Sequence, residues 1–199
     1  MRPKPDSTAV VRIDEETFRR VRSRSQGPNQ IVSQRRVPLD TSEEALIRHE
    51  VEDFTDFLAA LNNEGVAYVV IGGIAVLAHI PYRTTRDIDV LIEPTLENAR
   101  RAHRAVGTWG NFKVEFAPEE FIEGDILSFG GLLRVEVHSR VPGVTWERVW
   151  KNRVAGVFKG VETHFASVGD LIAMKEAASR QEKDLPDLRR LRQLIESDD

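Results

Sequence analysis

The sequence predicts an α/β chain whose mixed β-sheet is flanked by helices. Three observations predict it. Short β-branched runs (VAYVVI at residues 66–71, DIDVLI at 87–92) alternate with segments whose apolar residues recur every three or four positions. A short helical segment joins those two runs, giving a strand, helix, strand unit. Two later strand candidates, 126–129 and 132–138, meet through Gly130 and Gly131 and read as a hairpin, so parallel and antiparallel pairs share one sheet.

Order is expected from residue 41. Asp40 and Thr41 offer a helix cap, with acids in the first turn. Phe54, Phe57, Leu58 and Leu61 then form one apolar face that stops near Asn63 to Gly65. The run 66–71 is too short for a helix and reads as a buried strand. Gly72 and Gly73 turn the chain into a short helix over 74–79, which ends before Pro81 because the residue preceding proline disfavours helical angles. After the strand 87–92 comes an amphipathic helix over 96–106. Residues 112–116 are a further strand candidate. Residues 145–150 read as helical, 157–165 as extended, and 168–180 with 185–196 as two closing helices.

Composition narrows the function classes. Hydrophobic residues make up 41% and charged residues 30%, which suits a packed globular chain. The richest apolar stretch, 66–80, is cut by Gly72, Gly73 and His79, so no segment reaches the roughly 20 residues of a membrane helix. No apolar segment follows the basic start, and a cytoplasmic protein without a membrane partner is expected. The absence of cysteine excludes disulfides, thiolate metal sites and a thiol nucleophile. Net charge is −4, but residues 1–40 hold nine Lys or Arg against five acids. That stretch is expected to be a flexible basic tail without independent structure, leaving one domain over 41–199.

The chemistry concentrates at Asp87 and Asp89. Two residues apart on a strand, they share a face, and two adjacent carboxylates call for a cation. An all-oxygen site suits magnesium, with manganese as its substitute, and leaves room for substrate phosphates. Thirteen residues separate Gly73 from Asp87. Glycines at a strand-to-helix turn let backbone N–H groups approach an anion closely. Further on, alternation puts Arg134, Glu136 and His138 on one face of their strand, with Val135 and Val137 on the other. The histidines show no metal spacing among themselves, and Trp109, Trp146 and Trp150 are expected to pack at the sheet edge or cap a cleft.

The run GGIAVLAHIPYRTTRDIDVLIE, residues 72–93, resembles the signature of the nucleotidyltransferase (DNA polymerase β-like) superfamily. Its opening and its Arg83, Thr85, Asp87, Ile88, Asp89 arrangement are similar to the small bacterial branch that includes abortive-infection toxins. DLIAMKEAASRQEKDLPDLRRL, with Lys175, Arg180, Lys183, Asp184 and Asp187, is similar to the helix pair that closes those domains. The resemblance implies a magnesium-dependent transfer of a nucleoside monophosphate from an NTP to a hydroxyl, the acceptor being RNA, a protein or a small molecule. It implies Asp87, Asp89 and Glu136 as catalytic and metal-binding carboxylates, Glu136 standing where related sequences carry Asp. It further implies Gly72, Gly73, Arg83, Thr84, Thr85, Lys175 and Arg180 as nucleotide and phosphate contacts, and an antitoxin as a partner. The longer Glu136 also opens an alternative, a catalytically silent nucleotide- or partner-binding module.

Overall fold

A computed structural model describes residues 11–13, 54–80, 85, 87–110, 114–124, 126–130, 134–178 and 181–198. Among them is a mixed seven-stranded sheet: β1 (Val11–Ile13), β2 (Tyr68–Ile71), β3 (Asp87–Ile92), β4 (Ile126–Gly130), β5 (Arg134–His138), β6 (Val154–Phe158) and β7 (Val161–Phe165). Their order across the sheet is β1-β6-β7-β2-β3-β5-β4. The helices are α1 (Phe54–Asn63), α2 (Gly72–His79), α3 (Leu96–Gly110), α4 (Glu120–Glu123), α5 (Trp146–Asn152), α6 (Val168–Ala177) and α7 (Gln181–Asp198). The expected cap at Asp40 and Thr41 lies outside the described residues.

Each element near the site has a local cause. Helix α1 buries Phe54, Phe57, Leu58, Ala60 and Leu61, the face its spacing predicts. It ends where Gly65 adopts φ 64°, its N–H donating to Asn62 O (3.0 Å) while Val66 N–H donates to Leu61 O (2.9 Å). This pair of bonds is the usual glycine-terminated helix end, and it delivers the chain straight into β2. All four residues of β2 are buried, as befits a strand at the centre of the sheet. The buried Asn98 of α3 holds the sheet end together: its Oδ1 accepts from Ala67 N–H (2.8 Å) and its Nδ2 donates to Ala67 O (3.0 Å) and Glu93 O (3.1 Å). On the same helix, Trp109 meets Phe57 edge to face at 5.3 Å between ring centres.

Several expectations change. Helix α2 begins at Gly72 rather than Ile74, so the paired glycines form its first turn instead of a preceding loop. The 157–165 run is two antiparallel strands, β6 and β7, because Lys159 (φ 45°) and Gly160 (φ 90°) make a tight two-residue turn. The described part of the 112–116 candidate forms no strand. Phe116 instead packs against Phe121 (5.3 Å) and Phe129 (5.6 Å), an aromatic cluster that outcompetes extended pairing. In the 1–40 stretch, Val11–Ile13 pairs parallel with β6, and Ile13 is 1% exposed. The strand is not independent, since β6 supplies its hydrogen-bond partners.

Candidate functional site

Pairing register assembles the site. Strand β3 runs parallel to β5 with Asp87 opposite Arg134, Asp89 opposite Glu136 and Leu91 opposite His138. On its other side Asp89 faces Ile71, the last residue of β2, so the next residue, Gly72, lies directly against it. The contact is close enough to demand glycine: a Cβ at Gly72 would stand 2.1 Å from Asp89 Oδ2, and its φ of 61° already disfavours any side chain. Helix α2 therefore starts beside the Asp89 carboxylate.

The carboxylates gather on one face, with two bases among them. Arg134 forks onto Asp87, Nε donating to Oδ1 (3.2 Å) and Nη2 to Oδ2 (3.1 Å), and its Nε also lies 3.3 Å from Glu136 Oε1. His138 Nε2 stands 3.3 Å from Asp89 Oδ1 and 3.9 Å from Glu136 Oε2. Glu136 and His138 are nearly buried, while Asp87 and Asp89 open partly to solvent. Burial holds the Glu136 carboxyl above the usual carboxylate range; the Asp89 charge and a shared hydrogen bond push the same way, against His138 and Arg134. Conversely, the Asp87 fork holds the Arg134 guanidinium in its charged form more firmly than usual.

One atom each from Asp89, Glu136 and His138 lies within 4.8 Å of the others. That span is about what one divalent cation bridges, with ligand bonds of roughly 2.0–2.2 Å. Of the expected Asp87, Asp89 and Glu136, the last two fall in this cluster with His138 as its third corner, while Asp87 is engaged by Arg134. Alternation already puts His138 on the Glu136 face, but its approach to Asp89 comes from the neighbouring strand, which spacing along the chain does not show.

The remaining expected residues separate. Thr85 braces the carboxylate strand, its Oγ1 donating to Asp87 O (3.0 Å) and accepting from Asp87 N–H (3.3 Å). Lys175 is tied between Asp184 and Asp187, at 2.7 Å from each, and so links α6 to α7. Arg83, Thr84 and Arg180 lie outside the described residues. Trp146 and Trp150 stack at 5.0 Å, with the Arg153 guanidinium 3.7 Å from the centre of the Trp150 ring.

Carboxylates on adjacent parallel strands of an α/β sheet thus sit beside a helix opened by a close-approach glycine. The family model described as "Nucleotidyltransferase of unknown function (DUF6036)" matches residues 50–197, and the chain belongs to that family. No curated protein matches the chain closely enough to count as a relative.

Proposed function

We propose that this chain is a divalent-metal-dependent nucleotidyltransferase that moves a nucleoside monophosphate from an NTP to a hydroxyl of an acceptor, releasing pyrophosphate. The observation that carries the reading is the contact between Gly72 and Asp89, which puts the start of α2 and the carboxylate cluster in one place. Family membership supports the reaction class. Asp89 and Glu136 supply hard oxygen ligands that fit magnesium, and His138 adds a nitrogen that fits manganese as well. A bound ion there supplies charge neutralisation at the triphosphate and at the attacking and leaving oxygens. Gly72 and Gly73 present N–H groups at the first turn of α2 for phosphate oxygens. Arg134 holds Asp87 in a two-pronged fork, so Asp87 would lie beside the bound ion rather than among its ligands. Glu136 is also the carboxylate placed to orient or accept the proton of the attacking hydroxyl.

The acceptor classes in this proposal are RNA, protein and small-molecule hydroxyls; the resemblance to abortive-infection toxins adds an antitoxin partner. Incubation with α-phosphate-labelled NTPs, a divalent ion and cell extract is expected to transfer label, and Asp89→Asn to abolish it. The Arg134 fork on Asp87 favours a second reading, a silent nucleotide-binding module. Metal-independent NTP binding with no label transferred under any ion decides for that module.

A further inference from the structure

We infer that His138 is a direct metal ligand, making this a mixed nitrogen and oxygen centre that selects a first-row transition ion over magnesium. The inference rests on reading this face as a metal centre and names the ion class it takes.

Geometry places the imidazole as a ligand rather than a bystander. His138 sits one same-face step beyond Glu136 on β5, opposite Leu91, whose apolar side chain offers it no polar partner. Its Nε2 is turned back along the strand towards both carboxylates, 3.3 Å from Asp89 and 3.9 Å from Glu136. The ring is 8% exposed, so it is locked in that orientation rather than free to swing into solvent. The remaining carboxylate, Asp87, is occupied by a two-toothed arginine fork. The three-cornered set within reach of one ion is therefore two carboxylates and one imidazole.

That donor set discriminates among ions. Magnesium prefers oxygen and keeps several waters, gaining little from a nitrogen. First-row transition ions gain from imidazole, in an order rising from manganese to cobalt. The alternation Arg-Val-Glu-Val-His delivers this donor by strand pleat alone, without any loop.

The test is calorimetric titration of the full chain with cobalt, manganese and magnesium salts, without nucleotide. Wild type is expected to bind cobalt more tightly than manganese, and manganese more tightly than magnesium. His138→Gln is expected to weaken cobalt by about tenfold or more while magnesium changes by less than about threefold. Equal losses for cobalt and magnesium, or magnesium bound as tightly as cobalt by wild type, overturn the inference. Because His138→Gln could fail to fold, pulsed electron paramagnetic resonance on manganese-loaded wild type reads the ligand directly. Nitrogen coupling from a bound imidazole is expected, and it should vanish in Asp89→Asn. No coupling, or coupling that survives Asp89→Asn, overturns the assignment. Label transfer from NTPs without ion preference defeats this inference and leaves the proposed function standing. Nitrogen-ligated metal with no transfer under any ion does the reverse.

Discussion

Single residues decide the chemistry here, and Gly72 is the sharpest case. Gly72→Ala would force a methyl into the Asp89 carboxylate and hold a non-glycine residue at φ 61°. The left-handed conformation alone costs about 1–3 kcal/mol, so the melting temperature is expected to fall. Displacement of Asp89 should also weaken divalent-ion binding by about tenfold, as loss of ligand support usually does. Arg134→Gln works in the opposite direction on the ion. Removing a cation that sits on Asp87 and Glu136 leaves the acids poorly compensated, destabilising the ion-free protein by about 1 kcal/mol. A divalent ion then finds a more negative site, so the thermal shift produced by manganese should be larger in Arg134→Gln than in wild type; an equal shift would show that Arg134 does not compete with the ion. Asp87, Asp89 and Gly72 are legible as candidates because strand pleat and glycine turns leave local marks, whereas Glu136 stands out only through the family resemblance. The Arg134 fork is not legible, because it depends on the β3 to β5 register, which pairs residues far apart in sequence.

Among the elements, α6 and α7 are joined by a shared lysine. Lys175, Asp184 and Asp187 are all nearly buried, and the ammonium bridges both carboxylates. Lys175→Met removes the cation shared by two adjacent acids and is expected to cost roughly 3 kcal/mol. The triple change that also makes Asp184→Asn and Asp187→Asn should recover much of that loss in chemical denaturation. A phosphate-binding lysine would instead lose NTP affinity with little change in stability. The junction of α2 with the end of β7 carries a pH dependence. Burial holds the His79 imidazole below its ordinary value, only partly offset by its bond to Ala166 O (2.8 Å). His164 is lowered too, by burial and then by the Arg153 charge. As pH falls through about 6.5, the unfolded chain takes up protons that these folded imidazoles resist, so stability drops. Thermal melts over that window are expected to fall less steeply in the double variant His79→Gln with His164→Gln. Element boundaries are legible where the pattern is unbroken, as in β3 and at the glycine-marked end of α1. They are blurred at β6 and β7, where Lys159 at positive φ hides the turn inside an apparently continuous extended run.

At the level of the whole sheet, strand order is the least local property. Val70 of β2 lies opposite Phe165 of β7 in a parallel pair, and no window of sequence announces that meeting. The same holds for β1, which lies outside the matched family span and completes one sheet edge. Its alternation is only Val-Arg-Ile, too short to stand out in a basic stretch. The sheet nevertheless recruits it: Ile13 is buried, its carbonyl accepts from Lys159 N–H at 2.8 Å, and Gly156 leaves room for Val11 O, which a Cβ there would meet at 2.7 Å. Burial of Ile13 contributes roughly 2–3 kcal/mol. Ile13→Asp is therefore expected to undock β1 and lower the melting temperature by several degrees. With β1 gone, the hydrogen-bonding groups of β6 that served it become an open edge, the usual template for pairing with another chain. Light scattering after size exclusion should show concentration-dependent association for Ile13→Asp beyond that of wild type. Unchanged stability and unchanged mass would mean that β1 contributes nothing to the folded sheet.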